Sequence, residues 1–476
     1  MTTLPTTVGE LQLRGVGAPV SVRSEVRNNL FAALLRNEPP FTEFPMFTQS
    51  VVPALLRALL ARHNVILLGL RGQGKSTMLR AVGQLLDPLA PRLVGTPLPE
   101  HPLAPISPLG RQLAADPASE VVWVTPAERL HEYIAVPDLT VADLFGEPDP
   151  FRAQRLHTDM SDPAALSFGA IGQANHGIFV LNELPDLAPK VQVALFDLLQ
   201  EGTVQPAGTG ARFALDTLVL FTANPEDYTQ RGRIVTPLRD RIGSEIHTHY
   251  ATDWRVAAEL TNRSANISAP LRELIPPVQR EYIEKLAFVA RASEFAEPRS
   301  GVSQRLPIAA LELLGTEMHL RHASGLTGPD ALVPYVHFSL LDPAITGRIE
   351  LTFEGDELGS KAVAARIRQE TFLAVASEYL PESDLAEVVE YFDAGGSIAL
   401  QTEMNYAERE AAFRAVPGLL ARAGQLPLQH ETDVVSNAEF ILEALVAVGS
   451  IARERTRYHA VTTPQASETD DQYALN

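Results

Sequence analysis

Residues 65–76 read VILLGLRGQGKS, and this stretch decides the fold that we expect for the chain. Its first four residues are an apolar run of strand length, and a glycine-rich turn follows them. Beyond Lys75, apolar residues recur at the spacing of a helix. A strand, a glycine-rich turn and a helix in this order form the setting that the Walker A phosphate-binding pattern requires. We therefore predict a phosphate-binding loop over residues 69–76.

The loop offers two kinds of groups to a phosphate. Its glycines let successive backbone N–H groups face the β-phosphate, and the amino terminus of the following helix adds positive partial charge. Lys75 is expected to reach the β- and γ-phosphates, and the Ser76 hydroxyl is expected to bind Mg²⁺, which prefers oxygen ligands. The residues predicted to bind the nucleotide are Gly69, Arg71, Gly72, Gln73, Gly74, Lys75, Ser76 and Thr77.

A second apolar run, residues 178–181, ends in Asn182 and Glu183. A nucleotide hydrolase needs an acidic group at the end of such a strand to hold Mg²⁺ and to activate water. Glu183 suits the general base, although a surface carboxylate at a strand end is the plain alternative. Asn182 carries no charge, but its carbonyl can accept a hydrogen bond from a magnesium-bound water. Outer-shell changes of this kind typically cost ~10 to 100-fold in affinity or activity. The predicted metal site is Ser76, Asn182 and Glu183.

Further polar residues follow a third apolar run, residues 218–221. Asn224 would lie at the carboxyl end of this strand, where open α/β sheets bind ligands, and could orient the attacking water. The alternative is a turn asparagine before proline. Arg239 and Arg241 flank Asp240, so one of them can pair with Asp240 while the other projects from the surface. A projecting arginine can stabilise the transferring phosphoryl group of a neighbouring subunit, or it can simply be solvated.

The composition of the chain excludes several classes of protein. The chain has 476 residues, enough for two or three domains, and its 45% hydrophobic and 20% charged content is that of a folded globular protein. The net charge of -19 and the lack of a dense Lys/Arg run argue against nucleic-acid binding. No cysteine is present, which excludes disulfides and thiolate metal sites. We find no signal sequence and no apolar run of ~18 residues, so we expect a cytoplasmic protein without membrane insertion.

Together these motifs resemble the AAA+ ATPases, and specifically the branch of the MoxR-type ATPases and the ATPase subunit of magnesium chelatase. The resemblance spans about residues 47–325. Beyond the Walker A loop it rests on residues 143–146 (DLFG), 169–177 (GAIGQANHG) and 193–202 (VALFDLLQEG). It implies ATP and Mg²⁺ as cofactors, a helix-2 insertion near residues 144–176, and a hairpin over residues 203–215 that projects toward a pore.

The resemblance also implies roles for single residues. Asn224 corresponds to sensor 1, Arg241 to the arginine finger, with Arg239 as the next candidate, and Arg305 to the sensor 2 arginine. Asn182 departs from the usual aspartate, which leaves nucleotide binding intact and puts fast hydrolysis in doubt. Chelatase-like relatives carry an Asn-Glu-Leu-Pro string similar to residues 182–185.

We predict an α/β protein with an AAA+ P-loop αβα sandwich around a parallel sheet, a helical lid and a mainly helical C-terminal region. A strand is also predicted over residues 121–124, and another over residues 348–353. The predicted divisions are an N-terminal arm (1–46), the P-loop core (47–250), the lid with sensor 2 (251–325), the C-terminal region (326–455) and a disordered tail (456–476).

Three functions remain open. The first is an ATP-driven motor, a hexameric ring that remodels or activates a partner protein. The second is a nucleotide-gated scaffold with slow turnover, which Asn182 would favour. The third is a metal-insertion motor like magnesium chelatase. MoxR-type ATPases commonly work with a protein bearing a von Willebrand factor A domain, and the chain has no Asp-x-Ser-x-Ser string, so such a partner would be a separate protein.

Two further patterns have a structural and a functional interpretation. His247 and His249 alternate on a predicted strand and could share a metal ion, but an ordinary strand is the better interpretation because no third ligand is evident. Residues 440–448 form an apolar helix that could bind a partner, although a buried core helix is favoured.

Overall fold

The computed structural model describes residues 4–160, 162–225, 233–381, 385–401 and 404–461. The chain divides into two compact units, residues 1–250 and 251–476. The strands of the first unit are β1 (Val65–Leu68), β2 (Ala90–Leu93), β3 (Val121–Val124), β4 (Leu130–Ile134), β5 (Glu147–Pro148), β6 (Leu166–Ser167), β7 (Gly177–Asn182), β8 (Thr203–Val204), β9 (Phe213–Ala214), β10 (Thr217–Ala223) and β11 (Ser244–His247).

Five of these strands form one parallel sheet in the order β11-β1-β10-β7-β4. The three central strands β1, β10 and β7 are buried along their whole length, which is why each reads as a continuous apolar run. Alternate residues of β1 enter different clusters: Val65 and Leu67 join one hydrophobic cluster, and Ile66 and Leu68 join another. Both faces of the sheet are therefore covered, and the predicted α/β fold with a parallel sheet is confirmed.

Helices cover the two faces. Those of the first unit are α1 (Val8–Leu13), α2 (Val22–Leu35), α3 (Val51–Leu60), α4 (Lys75–Val82), α5 (Pro108–Ala115), α6 (Val141–Phe145), α7 (Pro150–Leu156), α8 (Ala170–Gln173), α9 (Pro189–Ala194), α10 (Phe196–Glu201) and α11 (Thr236–Arg241). The arm predicted over residues 1–46 contributes α1 and α2, and buried residues of α2 join the same cluster as α3 and α4.

The sheet differs from the prediction at its edges. The strand predicted over residues 121–124 exists as β3, but it pairs antiparallel with β2 outside the main sheet. Strands β4 (LHEYI) and β11 (SEIH) form the edges. β4 was not predicted, and the strand predicted around His247 and His249 is β11, which begins earlier and ends at His247. Each is partly exposed and carries polar residues, so neither shows the apolar run by which buried parallel strands are recognised.

The second unit is mainly helical, as predicted. Its helices are α12 (Trp254–Ser264), α13 (Ala269–Leu274), α14 (Pro277–Ala292), α15 (Arg305–Ala323), α16 (Asp342–Thr346), α17 (Phe353–Leu358), α18 (Ser360–Tyr379), α19 (Ala386–Asp393), α20 (Tyr406–Arg414), α21 (Leu419–Ala423) and α22 (Asp433–Val448), and its strands are β12 (Ile398–Ala399), β13 (Ile451–Glu454) and β14 (Arg457–Ala460). One hydrophobic cluster extends from Ala265 to Tyr458, so the regions predicted as lid and C-terminal region share a core. Most of α22 is buried there, which confirms it as a core helix.

One prediction in the second unit is wrong, and another is wrong over its first residues. Residues 348–353 do not form a strand: Leu351 makes a single bridge to Ala296, and Thr352 caps α17 by accepting a hydrogen bond from the Gly355 N–H. The predicted disordered tail over residues 456–476 begins with β14, which pairs with β13 and buries Tyr458. The Tyr458 hydroxyl donates to Glu443 Oε1 over 2.5 Å. This buried aromatic side chain explains why the start of the segment forms a strand although its composition is polar. Residues 462–476 lie outside the described residues.

A buried ion pair fixes the arm to the sheet. The Glu25 carboxylate on α2 accepts two hydrogen bonds of 2.7 Å from the Arg129 guanidinium, which precedes β4. Both side chains are only 7% exposed. A buried charge that loses its partner is strongly unfavourable, whereas a pair in water contributes little.

We therefore expect Arg129→Met to lower the free energy of unfolding of the first unit by ~3–5 kcal/mol. The matched control is Arg36→Met, because Arg36 pairs with Glu38 at 60% and 64% exposure, and its loss should cost less than ~1 kcal/mol. Urea unfolding, followed by Trp123 fluorescence in a Trp254→Phe background, measures both. Equal effects of the two substitutions would contradict this role of the buried pair.

Candidate nucleotide site

The loop over residues 69–74 connects β1 to α4, as the sequence predicted. Gly72 and Gly74 have φ angles of 70° and 78°, a left-handed conformation that glycine adopts without strain. Gly74 precedes the first helical residue, Lys75, so the free N–H groups of the first turn of α4 lie directly after the loop. This arrangement suits an anion bound at the start of the helix.

Thr248 and Tyr250, which follow β11, make hydrogen bonds to the loop. A Cβ atom on Gly69 would lie 2.0 Å from Thr248 Oγ1 and 2.1 Å from Gln73 Oε1, so a larger residue there would displace these two side chains. The Thr248 hydroxyl lies 2.6 Å from Gln73 Oε1, and the Tyr250 hydroxyl donates to the Arg71 carbonyl over 2.7 Å. Thr248 and Tyr250 were not predicted, because only the fold brings them next to the loop.

Lys75 is buried and folds back over the loop. Its ammonium group donates to the carbonyl oxygens of Gly69, at 2.5 Å, and Leu70, at 2.9 Å. The charge therefore lies beside the first residues of the loop. The predicted phosphate-binding residues are thus together in one turn.

The side-chain amide of Asn182 connects the loop helix to three strands. Its Oδ1 accepts hydrogen bonds from the Ser76 hydroxyl (2.7 Å) and from the Thr222 hydroxyl (3.0 Å). Its Nδ2 donates to Glu132 Oε1 over 2.7 Å. Asn182 is 5% exposed, so these partners satisfy both ends of a buried amide. Two of the three predicted metal-binding residues, Ser76 and Asn182, are in direct contact.

Glu132 is a residue of the candidate site that the sequence did not reveal. It lies on the edge strand β4, whose polar sequence hid the strand itself. Its carboxylate also pairs with Arg80 of α4, with an Nε–Oε2 distance of 2.5 Å. An aspartate at position 182 would place a second carboxylate at hydrogen-bonding distance from Glu132, whereas the asparagine amide donates to it. The negative charge missing at position 182 is therefore present one strand away.

Glu183 follows β7 in an unusual backbone conformation. Its φ and ψ are 57° and 46°, the left-handed region that non-glycine residues rarely occupy. The Glu183 N–H donates to Thr222 Oγ1 over 3.2 Å, which holds the strained residue against the next strand. Strained residues of this kind cluster at functional sites.

Asn224 lies at the same edge of the sheet. It follows β10, which lies between β1 and β7, and it is 3% exposed. The preceding residue, Ala223, pairs with Leu68 and accepts a hydrogen bond from the Gly69 N–H over 3.2 Å. Asn224 is therefore next to the phosphate loop, and the ends of β1, β10 and β7 bring the loop, Asn224 and Glu183 together.

The two arginines differ from the prediction. Arg239 does not pair with Asp240: its guanidinium makes two 2.7 Å hydrogen bonds to Glu245, and these lower the pKa of that carboxyl. Consecutive residues of a helix do not face each other, whereas β11 presents Glu245 in the geometry of a forked pair. Arg241 does not project freely. It lies 4.7 Å from the centre of the Phe196 ring and donates to Gln200 Oε1 over 3.1 Å.

The remaining candidates lie apart from this cluster. Arg305 belongs to the second unit, where it begins α15, and its role at a nucleotide stays a prediction. The two histidines for which a metal site was the less favoured alternative have different neighbours: His247 Nε2 lies 3.3 Å from Glu245 Oε1, and His249 Nε2 lies 2.7 Å from Ser50 Oγ. β11 ends at His247, so the pair does not share a strand. Within the described ranges, no three His, Asp or Glu side chains are grouped as a metal site.

The first unit thus has an α/β fold around a parallel sheet, with the predicted phosphate loop, a buried amide and a strained glutamate at the carboxyl edge of that sheet. Residues 159–244 match the family model described as the Sigma-54 interaction domain. The match covers β7, the β8–β9 hairpin, β10 and α11, and it ends at the first residue of β11.

Several solved structures are similar to the chain. A protein from Cytophaga hutchinsonii, provisionally described as an ATPase, is 17% identical, with 75% of this chain and 97% of that chain covered and a TM-score of 0.31. NtrX from Brucella abortus in complex with ADP is 13% identical, with coverage of 79% and 66% and a TM-score of 0.37. A chain of the complex between subunits BchI and BchD of magnesium chelatase is 20% identical, with coverage of 71% and 99% and a TM-score of 0.31.

At these TM-scores the likenesses carry no conclusion about this chain. No curated protein matches it in sequence. Among the described residues, no helix is both long enough and apolar enough to span a membrane.

The predicted sensor 2 residue has a titratable neighbour. Gln304, directly before Arg305, donates to Glu284 Oε2 over 3.0 Å. Burial raises the pKa of Glu284 from 4.5 to about 7, although hydrogen bonds from Thr261 and Gln304 oppose the shift. Between these pH values the folded state holds a proton that the unfolded state has lost. The contribution to stability is therefore complete below pH 4.5 and decreases as the pH rises through about 7.

We expect Glu284→Gln to stabilise the second unit at pH 8 relative to the wild type, by on the order of 3 kcal/mol, and to change little at pH 4.5. Urea unfolding followed by Trp254 fluorescence in a Trp123→Phe background measures both. Glu439 has a similarly raised pKa and remains in both proteins, so it cancels in the difference. A difference that does not vary with pH would show that Glu284 is ionised in the folded protein.

Proposed function

We propose that the chain is an AAA+ ATPase that binds ATP with Mg²⁺ and hydrolyses it in a ring oligomer to remodel or activate a partner protein. The observation that carries this proposal is the hydrogen bond from Ser76 to Asn182. It joins the phosphate loop to the end of β7, immediately before the strained Glu183. A loop that binds phosphates and a carboxylate that can activate water are thereby held at one sheet edge.

The residues present fit ATP and Mg²⁺. The N–H groups of the loop and of the first turn of α4 would bind the phosphates, with Lys75 as the cation beside them. Ser76 Oγ, Asn182 Oδ1 and the carboxylate of Glu183 are hard oxygen donors of the kind that Mg²⁺ prefers. When bound, the ion would neutralise charge on the β- and γ-phosphates.

The chain's own residues would divide the remaining work. Glu183 accepts a proton from the attacking water, and Asn224, at the end of the adjacent strand, orients that water. Arg241, held by Phe196 and Gln200, is the proposed finger that acts on the nucleotide of a neighbouring subunit. Arg305 is proposed to contact the phosphates from the lid. The ring, which we propose is a hexamer in the cytoplasm, would act with a separate partner such as a von Willebrand factor A domain protein.

A nucleotide-gated scaffold with slow turnover is the second candidate, because Asn182 is neutral and Glu132 is shared with Arg80. Both candidates predict ATP binding, and they differ in hydrolysis. In the motor the network keeps a negative charge near Ser76 through Glu132. In the scaffold that charge is neutralised by Arg80 and Mg²⁺ is held weakly.

Magnesium-dependent ATP hydrolysis across a range of protein concentrations separates the two. We expect the wild type to turn over with a specific activity that rises as the ring assembles. Glu183→Gln should bind ATP but lose ~10²–10⁴-fold in rate because the general base is gone. Arg241→Ala should also bind ATP and lose ~10³-fold or more. Lys75→Ala should lose binding itself.

Calorimetry with ATP gives the binding control for each variant. If the wild type and Glu183→Gln both bind ATP and neither hydrolyses it, the scaffold is the correct function. If Lys75→Ala binds ATP as tightly as the wild type, the loop is not the nucleotide site.

The proposed contribution of Glu132 to Mg²⁺ binding, through its hydrogen bond with Asn182, is tested by Mg²⁺ titration of ATP binding. This measurement does not depend on hydrolysis. Glu132→Gln should weaken Mg²⁺-dependent binding by ~10 to 100-fold, because the only nearby negative charge of the β4 strand is removed. The exchange Asn182→Asp with Glu132→Gln returns one carboxylate to the pair and should restore affinity. Glu120→Gln, an exposed carboxylate, is the matched control. Unchanged Mg²⁺ affinity in Glu132→Gln would exclude Glu132 from the site.

A further inference from the structure

A cavity of about 350 Å³ lies in the first unit at the opposite edge of the sheet from the phosphate loop. Its wall includes His176, directly before β7, and Arg129, directly before β4. Because the strands are parallel, the residues that precede them lie at the amino edge, whereas the loop follows the carboxyl end of β1. The cavity is therefore separate from the candidate nucleotide site, and its size is that of small-molecule sites.

Much of the wall is apolar. Val20 from the segment before α2, Leu89 before β2 and Trp123 on β3 all line the cavity. Val20 and Leu89 are 55% and 41% exposed, so water has access to this apolar surface. The indole of Trp123 is held in place, because its Nε1 donates to the Pro5 carbonyl over 2.8 Å. The cavity therefore combines apolar surface with the aromatic ring that binds cations best.

The charged groups of the wall leave a negative sum. The carboxylates are Glu25, Asp87, Glu100 and Glu128, and the guanidinium groups are Arg92 and Arg129. Arg129 pairs with Glu25 through two hydrogen bonds of 2.7 Å. Hydrogen bonds from Thr125 lower the pKa of Glu128, and the charge of Arg92 lowers it further. Four negative charges against two positive ones leave two uncompensated, and these belong to Asp87 and Glu100.

Asp87 and Glu100 accept hydrogen bonds from neutral donors only, among the residues that the structure describes. Glu100 is 1% exposed and accepts from the N–H and the hydroxyl of Ser107, at 2.5 Å and 3.0 Å, and from the Ile106 N–H at 3.0 Å. Asp87 is exposed and accepts from Asn29 Nδ2 over 2.8 Å. Neutral donors leave both carboxylates charged. The buried charge of Glu100 is screened little by salt, and the carboxylate of Asp87 is accessible to a ligand.

The histidines of the wall do not offset this charge. Burial lowers the pKa of His101 to about 4, and burial also lowers the pKa of His131. His176 Nδ1 lies 3.4 Å from Asp216 Oδ2, which favours a proton on Nδ1 and a lone pair on Nε2. This Nε2 is buried and has no hydrogen-bond partner within the described part of the chain. An acceptor without a partner indicates a position that an N–H donor can satisfy.

We propose that this cavity binds a small primary amine with an apolar body. The ammonium group pairs with the carboxylate of Asp87, and the apolar body packs against Trp123 and Val20. Two uncompensated negative charges in the wall attract a cation and repel an anion. An ammonium group carries three N–H donors and no acceptor, which suits a wall that offers carboxylate oxygens and the lone pair of His176.

The chain has two tryptophans, and only Trp123 lies in the first unit, so the Trp254→Phe protein reports on the cavity. The probes are 2-phenylethylamine and hexylamine. Each is compared with the matching alcohol, 2-phenylethanol or hexanol, and with the matching acid, 3-phenylpropionate or heptanoate. We expect saturable changes in Trp123 emission with the amines at ~1 mM or below, and binding at least ~10-fold weaker for the alcohols and the acids. Calorimetry with the same probes provides the affinity independently.

Three variants test the assignment of the charge. Asp87→Asn should weaken amine binding by ~5-fold or more, while Asp138→Asn, at an exposed aspartate outside the cavity wall, should leave it unchanged. Val20→Lys adds a positive charge at an exposed wall position and should abolish amine binding without unfolding the protein. Lys75→Ala should bind the amines normally, so failure of the nucleotide site and failure of this proposal are distinguishable.

Each contrary result overturns the proposal. Equal affinity for amines and alcohols would make the cavity merely apolar, and tighter binding of the acids would show that its effective charge is positive. Unchanged affinity in Asp87→Asn would remove the proposed partner of the ammonium group. The absence of a saturable signal with either amine in both fluorescence and calorimetry would show that the cavity does not bind this class of ligand.

Discussion

The buried amide of Asn182 is the point at which the phosphate loop and the sheet meet. Its oxygen accepts hydrogen bonds from Ser76 on α4 and Thr222 on β10, and its nitrogen donates to Glu132 on β4. A buried amide left with one unpaired end would be costly, so the three partners fix its orientation and the relative positions of the elements that carry them. The sheet edge is thereby rigid on both sides of Glu183.

This network gives a physical reason for asparagine where the resembling ATPases have aspartate. Two carboxylates at hydrogen-bonding distance repel each other, and the amide of Asn182 replaces that repulsion by a hydrogen bond to a charged acceptor. Glu132 would then supply the acidic group, and its carboxylate also pairs with Arg80. Under the proposed function, the site would keep its negative charge while changing the strand from which it comes.

The sequence was sufficient to predict the elements whose apolar pattern is local. It was not sufficient to predict the contacts that depend on which strands pair in the sheet. The loop over residues 69–76, the central strands and the core helix α22 all carry continuous or periodic apolar residues, and each was found. Strands β4 and β11 lie at the sheet edges and have mixed sequences, so Glu132 and the pairing of Arg239 with Glu245 could not be foreseen. Thr248 lies more than one hundred and fifty residues from Gln73, and only the parallel pairing of β11 with β1 brings the two together.

The two edges of the sheet differ in chemistry because different segments of the chain border them. At the carboxyl edge the strands end in polar residues, and the side chains of Ser76, Thr222 and Glu132 hydrogen-bond to Asn182. At the amino edge the segments before β4 and β7 and the arm segment before α2 surround a space that their side chains do not fill. The ion pair of Glu25 with Arg129 fixes α2 there, so the arm cannot move in to fill the space without breaking a buried charge pair. Because the pair holds the arm in this position, the space at the amino edge persists without the displacement of any element of the core.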